Sequence, residues 1–572
     1  MASSSPVRDT LAHLRIEGLS ASYADRRVLT DVSFVVPAGA RTALIGENGT
    51  GKSTLLHIIA GDLQADSGAV RAFRPGGADV RIGLLRQEAT VPANTSVGSV
   101  IETAVARVRA AGRDVERAGS LLAAGPDHEH ELRFAAALET AELLDAWNID
   151  TRIAKTLAGL GLEHVELADD AAALSGGQQS RLALAALLLS APDVLLLDEP
   201  TNHLDDAAAQ HLVEELENWS APVLFASHDR AFLDDTATAL VDLDPAPLLH
   251  ADCGDLVQDG NGSGIGVTRF TGTYTDYLQA RRDARVRWEQ QFADEQSRLK
   301  KLRASVTESQ TVGKPERGPK TEARASKKFY SDRNAKVVAR RVGDARSRLE
   351  ELEDRQIRKP PRELSFAGIP LPGRTTVPGK TVIDAARIGL TGRLSAASMS
   401  IRQGEQWLVT GSNGTGKSTL LQLLAGALEP TTGAVQRTRG LRIGLLTQHA
   451  GIPDPHERGP SRTLVRAYED AIGTGRAAAV PLTAFGLFAP RDLQRPLDSV
   501  SRGQEQRLAL AIVLAEMPDV LLLDEPTNHL SLLLVTQLEE SLADYPGTVV
   551  IASHDRWLRR NWKGRTLHLE SQ

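Results

Sequence analysis

Two eight-residue segments carry the residue types that bind nucleotide phosphates, in the pattern G-x-x-x-x-G-K-S/T. In that pattern, backbone N–H groups and a helix N-terminus surround the phosphates, the Lys reaches the terminal ones, and the Ser hydroxyl holds Mg²⁺. With the threonine after each segment, the predicted phosphate-binding residues are Gly46, Glu47, Asn48, Gly49, Thr50, Gly51, Lys52, Ser53 and Thr54, and Gly411, Ser412, Asn413, Gly414, Thr415, Gly416, Lys417, Ser418 and Thr419. Because the pattern occupies the same place in two similar halves, it predicts a duplicated nucleoside triphosphatase.

Carboxylates end two apolar strands at corresponding places. Asp198 and Glu199 follow the run 194–197, and Asp524 and Glu525 follow the run 520–523. We expect each aspartate to lie near Mg²⁺ and each glutamate to polarise the attacking water, as phosphoryl transfer requires. The alternative is a solvated strand end, and a phosphate loop upstream in both halves argues against it.

Two histidines and two glutamines complete the predicted catalytic groups. His228 and His554 each follow an apolar strand in an identical Ser-His-Asp-Arg setting, which favours contact with a γ-phosphate over a purely structural histidine. Gln87 and Gln448 are candidates to reach the metal or the water. Tyr23, before the first phosphate loop, is a candidate for stacking on adenine, with a surface aromatic as the alternative. The predicted metal ligands are Ser53, Gln87, Asp198, Ser418, Gln448 and Asp524.

These residues need strands and helices in a fixed order to bring them together. Apolar strands alternate with helical segments in both halves, which predicts α/β domains with largely parallel sheets and ligands at the carboxyl ends of the strands. The predicted strands are 41–46, 82–85, 194–197 and 223–226, and 407–411, 443–446, 520–523 and 549–552. In the first half, helical periodicity covers 53–60, about 93–172 and 181–190.

The segment between the halves has a different composition. Residues 275–305 and 331–357 are polar and helix-prone, and residues 306–330 contain Gly, Pro and many cations. We predict two long antiparallel helices with a basic, flexible tip at 306–330, ended by Pro360-Pro361. Over 275–359, 23 Lys and Arg face 14 Asp and Glu, an excess of nine. The predicted domains are 1–270, the helical hairpin 271–360, and 361–572.

Composition restricts where the chain works. With 41% hydrophobic and 24% charged residues, its 572 residues suit several globular domains. The net charge of −7 leaves room for a local basic patch, and the single cysteine, Cys253, excludes an internal disulfide. The N-terminus lacks the apolar core of a signal peptide, and no run approaches the roughly 18 apolar residues of a membrane span. We therefore expect a cytoplasmic protein that would need a separate membrane partner for any transport.

The motifs of the chain, taken together, resemble those of the ATP-binding-cassette superfamily. The phosphate loops, Leu-Ser-Gly-Gly-Gln at 174–178, the strand-end Asp-Glu pairs, Asp205 and the histidines match its motif set. The resemblance implies that each signature segment caps ATP bound by the opposite half, which we call the opposite cassette. Lys52 would then face Ser501, and Lys417 would face Ser175. The implied further ATP-binding residues are Ser175, Gly176, Gly177, Gln178, Ser501, Gly503 and Gln504.

Within the superfamily the chain is similar to the ABC-F group, which has two cassettes in one chain, no membrane domain, and the run Glu-Pro-Thr-Asn-His-Leu found here at 199–204 and 525–530. In that group the interdomain helices enter the E site of the 70S ribosome, near rRNA and the P-site tRNA. The resemblance implies an antibiotic-resistance ribosome-protection protein of high-GC bacteria, acting as a monomer with an internal pseudo-dimer. A housekeeping translation factor, the ATPase of a drug exporter and a DNA-associated ATPase remain alternatives.

The second half departs from the pattern in three places. Its signature is Val-Ser-Arg-Gly-Gln, with Arg502 where Gly176 stands in the first half. Ser531 replaces Asp205, and no aromatic residue near 388–394 corresponds to Tyr23. We therefore expect two inequivalent ATP sites, with adenine held less specifically at the Lys417 site.

Overall fold

The structure is a computed structural model. It describes residues 12–23, 26–47, 49–74, 79–86, 95–125, 127–202, 204–244, 265–311, 340, 343–344, 346–353, 355–357, 359–360, 379–412, 414–447, 451–488, 490–527, 530 and 532–570.

The first half is built on two sheets. Its strands are β1 His13–Tyr23, β2 Arg26–Val36, β3 Arg41–Ile45, β4 Ser67–Phe73, β5 Ile82–Leu85, β6 Val194–Asp198, β7 Val223–Ala226, β8 Ala239–Asp242 and β9 Thr268–Thr271. The main sheet has the order β5-β6-β7-β3-β8-β9 and is parallel except for the β8–β9 pair. An antiparallel sheet, β2-β1-β4, forms the second layer. The predicted α/β class with a largely parallel sheet is confirmed.

Helices cover this sheet, and the phosphate loop follows the carboxyl end of its interior strand β3. They are α1 Lys52–Ala60, α2 Val97–Ala124, α3 His128–Leu143, α4 Ile149–Gly159, α5 Gly176–Leu189, α6 Asp206–Glu217 and α7 Arg230–Thr236. Helix α1 begins after Gly51 (φ 96°) and ends at Gly61 (φ 86°), two left-handed positions that suit glycine. Its apolar side packs on the core that includes Leu44 and Leu196, so strand β3 leads directly through the loop into a buried helix.

Two predicted helical boundaries differ from the structure. The described part of the stretch 93–172 contains three α-helices and two short 3₁₀ helices, and the last α-helix ends before Gly161, which takes a left-handed φ of 65°. The helix predicted to begin at 181 begins at Gly176 instead, because Ser175 and Gln178 form a capping box at its N-terminus.

Within its described residues, the second half repeats the architecture with one strand fewer in the main sheet. Its strands are β10 Thr381–Leu390, β11 Leu394–Arg402, β12 Gln406–Thr410, β13 Thr432–Arg437, β14 Ile443–Leu446, β15 Val520–Asp524, β16 Thr548–Ala552 and β17 Arg565–His568. The sheets are β14-β15-β16-β12-β17, fully parallel, and β11-β10-β13. Its helices are α9 Lys417–Ala425, α10 Leu464–Ile472, α11 Thr474–Ala479, α12 Arg502–Ala515, α13 Leu532–Ala543 and α14 Arg556–Asn561.

A single long helix, α8 Tyr274–Thr311, leaves the first half. Thr273 and Asp276 begin it by exchanging side-chain and backbone hydrogen bonds (both 3.3 Å). Residues 346–353 are helical again, and the pairs Arg303–Glu353 (2.7 Å) and Glu295–Ile357 (3.0 Å) place them antiparallel to α8. Of the predicted tip at 306–330, residues 306–311 continue α8 and residues 312–330 lie outside the described residues. Among the described helices, none has the length and apolar content needed to cross a bilayer.

Candidate functional site

The two phosphate loops have matching geometry. Lys52 Nζ donates to the carbonyl oxygens of Gly46 (2.7 Å) and Glu47 (3.2 Å), and Lys417 Nζ donates to the equivalent oxygens of Gly411 (2.8 Å) and Ser412 (3.2 Å). Burial lowers the pKa of both lysines, while nearby carboxylates oppose that shift. Each loop therefore holds a largely buried cation, and the carboxylates beside Lys52 are Glu199, Asp244, Asp198 and Asp242.

The strand-end carboxylates lie next to these cations. Asp198 is buried, and its carboxylate hydrogen-bonds the hydroxyl of Ser53. Burial raises the pKa of Asp198 from its ordinary range, and the bond from Ser53 acts in the opposite direction. A carboxylate and a hydroxyl side by side supply the oxygen donors that Mg²⁺ prefers, so Ser53 and Asp198 fit a magnesium ion beside the phosphate loop.

The two glutamates occupy a backbone conformation that is unusual for them. Glu199 has φ 50° and Glu525 has φ 48°, in the left-handed region. Each N–H donates to the end of the neighbouring strand, to Ala226 O and Ala552 O (both 2.9 Å). Such a conformation costs on the order of 1 kcal/mol or more and is typical of functional positions, and here it occurs twice in register.

The histidines contact these glutamates differently in the two halves. His228 donates its backbone N–H to Glu199 (3.0 Å), and its Nε2 lies 3.5 Å from the carboxylate. His554 Nδ1 lies 2.9 Å from Glu525, whose carboxylate also accepts the hydroxyl of Ser553 (3.2 Å). Burial raises the pKa of Glu199 to about 8, and the hydrogen bond to Glu525 raises the pKa of His554.

One cleft of about 1610 Å³ brings most of the predicted residues together. Those that line it are Gly49, Gly51, Lys52, Ser53, Thr54, Asp198, Glu199, His228, Gly411, Ser412, Gly414, Gly416, Lys417, Ser418, Thr419, Asp524, Glu525 and His554. Asn48, Asn413, Gln87 and Gln448 lie outside the described residues, as does the side chain of Tyr23, whose backbone ends strand β1.

The signature segments do not line this cleft in the described part of the chain. Ser175 and Ser501 instead begin helices α5 and α12, each accepting the N–H of Gln178 (3.3 Å) or Gln504 (3.4 Å). A Cβ added at Gly176 would meet no atom within 4 Å, so this position of the first signature segment has room for a side chain. The charge of Glu47 nevertheless acts on Arg507 of α12, which places this helix near the first phosphate loop.

Sequence reasoning missed a set of ion pairs between the halves. Arg230 is 1% exposed and pairs with Asp555 (2.9 Å) and, in a bidentate contact, with Glu539. Arg556 pairs with Asp229 in the reverse direction (3.1 Å). Each Ser-His-Asp-Arg segment thus exchanges an Arg–Asp pair with its copy, and the repeated Asp and Arg beside the histidines were the available signal.

Further contacts continue this interface. Arg559 pairs with Asp206 at 2.5 Å, and the charge of Asp206 also acts on Lys417. Asp205 caps helix α6 by accepting the N–H of Ala208 (2.9 Å), while Ser531 lies outside the described residues. The first cassette therefore places a carboxylate near the second phosphate loop.

Comparisons with known proteins agree with this geometry. The pattern of the ABC transporter family matches residues 29–202 and 394–528. The chain is 34% identical to the tylosin resistance ATP-binding protein TlrC of Streptomyces fradiae, over 98% of this chain and 97% of the relative. It is 28% identical to the energy-dependent translational throttle protein EttA of Mycobacterium tuberculosis, over 94% and 87%. Among solved structures, archaeal ribosome recycling factor aABCE1 has a similar fold, with a TM-score of 0.54, 18% identity and coverage of 94% and 84%.

Proposed function

Since the chain belongs to the ATP-binding-cassette family, in its ABC-F group, we propose that this ATPase acts on the ribosome. It closes on two ATP molecules, binds the 70S ribosome while closed, and leaves after hydrolysis. The working parts are the cassettes 1–270 and 361–572 and the helical hairpin 271–360, acting as one monomer in the cytoplasm. The similarity to a tylosin resistance protein along nearly the whole chain is the observation that carries this proposal.

Each ATP is hydrolysed by the groups around one phosphate loop. Lys52 or Lys417 binds the terminal phosphates, and Glu199 or Glu525 accepts a proton from the attacking water. The water oxygen bonds to the γ-phosphorus, the bond to the bridging oxygen breaks, and ADP leaves. Mg²⁺, when bound, offsets the phosphate charge, and Ser53, Asp198, Ser418 and Asp524 are the residues to hold it, with Gln87 and Gln448.

The opposite cassette completes each site. Ser501 caps ATP at Lys52 and Ser175 caps ATP at Lys417, with Gly176, Gly177, Gln178, Gly503 and Gln504 beside them. Two interactions across the interface support this arrangement: the charge of Glu47 on Arg507, and the charge of Asp206 on Lys417. Because the two ATP molecules bind better to the closed pair, they shift the equilibrium toward closure.

The interdomain hairpin reaches RNA. Its described helix α8 exposes a series of cations that suit phosphate groups, namely Arg282, Arg287, Arg298, Lys300, Lys301 and Arg303. The proposed contacts are rRNA and the P-site tRNA near the E site. From there the hairpin displaces antibiotics bound at the peptidyl-transferase centre or exit tunnel.

Co-sedimentation with 70S ribosomes tests the ribosome step. The double variant Glu199→Gln, Glu525→Gln should retain ATP while losing water activation, so ATP should drive it into the ribosome pellet. The matched control adds Lys52→Ala and Lys417→Ala, which remove the phosphate contacts and should leave the protein in the supernatant. A double variant that binds ATP and stays in the supernatant would contradict ribosome binding.

The inhibitory concentrations of antibiotics separate resistance from the alternatives. Expression in a susceptible host should raise resistance to one class that acts near the peptidyl-transferase centre, and Glu199→Gln, Glu525→Gln should abolish the gain. Unchanged resistance to every class, together with ATP-dependent ribosome binding, would favour a translation factor, a reading that the similarity to EttA supports. Resistance with faster drug efflux and no ribosome binding would favour an exporter ATPase.

A further inference from the structure

The first phosphate loop is hydrogen-bonded to the interdomain helix through an aspartate. The backbone N–H of Glu47 donates to Asp244 Oδ1 (2.8 Å), and Arg281 of α8 donates to Asp244 Oδ2 (2.7 Å). Asp244 is buried, and it follows strand β8 by two residues. One carboxylate therefore binds both the loop that holds phosphate and the helix that leaves the cassette.

A second aspartate, Asp242, completes a closed cycle of hydrogen bonds between the cassette and α8. Asp242 accepts the hydroxyl of Tyr277 (2.5 Å) and the N–H of Asp244 (2.9 Å), and Arg281 donates to Tyr277 Oη (2.9 Å). Tyr277 and Arg281 are four residues apart and share one face of α8. Because Tyr277 is buried in the core of the first cassette, this cycle of hydrogen bonds fixes the first turns of α8 beside the first phosphate loop.

The second cassette lacks the same constellation in its described residues. Strand β17 pairs with β12 as β8 pairs with β3, so His568 stands at the place of Asp242 and Glu570 at the place of Asp244. His568 Nδ1 lies 3.1 Å from Thr410 Oγ1, and Glu570 is exposed. Among the described residues, the hydrogen-bonded connection between a phosphate loop and α8 therefore occurs at the Lys52 site.

We propose that Asp244 and Arg281 are positioning residues that couple the first phosphate loop to the interdomain helix, so that nucleotide at Lys52, rather than at Lys417, controls how firmly α8 is held. The charges of Asp244 and Asp242 act directly on Lys52. Phosphates that bind there add negative charge beside the two carboxylates and form ion pairs with the Lys52 ammonium. The Arg281 guanidinium of α8 then becomes the main cation beside those carboxylates, and its bond to Asp244 strengthens.

Coupling of this kind is reciprocal, because a helix contact that nucleotide strengthens must itself favour nucleotide binding. Removing Arg281 should therefore weaken ATP at the Lys52 site by about fivefold or more, at the lower end of typical coupling between sites. ATP at the Lys417 site should bind unchanged. The inference rests on the proposed function only for its consequence at the ribosome, and it is tested without ribosomes, so the two can fail separately.

Hydrogen exchange of the isolated chain measures how firmly α8 is held. In the Glu199→Gln, Glu525→Gln background, Mg-ATP should slow exchange of amides 277–285. Adding Lys52→Ala should abolish that protection, and adding Lys417→Ala should leave it. Arg281→Met should abolish it while ATP still binds at Lys417, and Arg281→Lys should restore part of it by returning the cation.

Arg285→Met is the matched control, since Arg285 lies one turn further along α8 and pairs with Glu289 on the same helix (2.8 Å). It should keep the full ATP response. If Arg281→Met prevents folding, Asp244→Asn provides the second variant, because it retains an acceptor for the Glu47 N–H and removes the charge. An ATP response in Arg281→Met equal to that in Arg285→Met, or a response that depends on Lys417 instead of Lys52, would overturn the proposal.

Discussion

The two nucleotide sites share their backbone and differ in the side chains around it. Each lysine donates to the two corresponding carbonyls of its own loop, and both glutamates adopt a left-handed φ, of 50° and 48°, after a buried strand. Around Glu525, a histidine at 2.9 Å and a serine hydroxyl at 3.2 Å contact the carboxylate. Around Glu199, the histidine ring lies at 3.5 Å, and burial raises the pKa of the carboxyl to about 8.

The two halves therefore share the backbone geometry of the site but not the side chains around the catalytic glutamate. The loop and strand geometry is set by local sequence that both halves retain. The protonation of the catalytic groups depends on neighbours that each half supplies for itself. Two sites with one fold are therefore expected to hydrolyse ATP at different rates and with different pH dependence.

The largest expected effect concerns the interface between the halves. Arg230→Met leaves Glu539 and Asp555 facing each other without their cation, a change that typically costs about 3–5 kcal/mol for a buried pair. Arg556→Met leaves a single partner, Asp229, and should cost about 2 kcal/mol. Thermal unfolding should show the greater loss of transition temperature for Arg230→Met.

The exposed pair Arg560–Asp235 provides the control for this comparison. It also joins the two halves (2.7 Å), but the Arg560 side chain is 46% exposed, so Arg560→Met should cost about 1 kcal/mol or less. Equal losses of transition temperature for the three variants would mean that the buried Arg230 cluster stabilises the protein no more than the exposed pair does.

The next effect is a difference in pH dependence. In Glu525→Gln, hydrolysis depends on Glu199, which must lose its proton to act as a base. With a pKa of about 8, its ionised fraction rises from about a tenth at pH 7 to about nine-tenths at pH 9, so the rate should increase about tenfold. Steady-state ATPase rates across this range check the prediction.

In Glu199→Gln, hydrolysis depends on the Lys417 site, and the rate should fall as the pH rises through the pKa of His554. The group whose pKa is raised there is a histidine, which loses positive charge as the pH increases. Parallel pH profiles in the two variants would show that the environments of the glutamates do not control the rates.

The features that could be predicted from the sequence are those set by residues close together along the chain. Strand β6 and its terminal Asp198 followed from an apolar run before a carboxylate, and the loop followed from its glycines and lysine. The contact of Arg230 with Glu539 joins residues 309 positions apart, and the equivalent of Glu539 in the first half is Val213, so repetition gave no signal for it. The bond from Glu47 to Asp244, 197 positions away, depends in the same way on the pairing of β8 with β3.

The smallest expected effect concerns the adenine base. In the first half, nine positions separate Ser20, which pairs with Ser67, from Leu29 beside Gly51. In the second half, five positions separate Gly389, which pairs with Thr432, from Leu394 beside Gly416. The second hairpin is therefore four residues shorter, and Gly392 and Arg393 line the cleft at its turn.

Tyr23→Ala should therefore weaken ATP at the Lys52 site by the value of one aromatic stack, about 0.5–1.5 kcal/mol or roughly two- to tenfold. The affinity of that site for GTP should fall by a similar factor, since an aromatic ring stacks on either purine. Arg393→Ala should leave the ATP-to-GTP ratio at the Lys417 site unchanged, since a guanidinium contacts either purine. Binding of both nucleotides to chains carrying Lys417→Ala or Lys52→Ala isolates each site. An affinity for ATP that survives Tyr23→Ala at the Lys52 site would show that another group holds the base there, and the two sites would then differ less than their hairpins indicate.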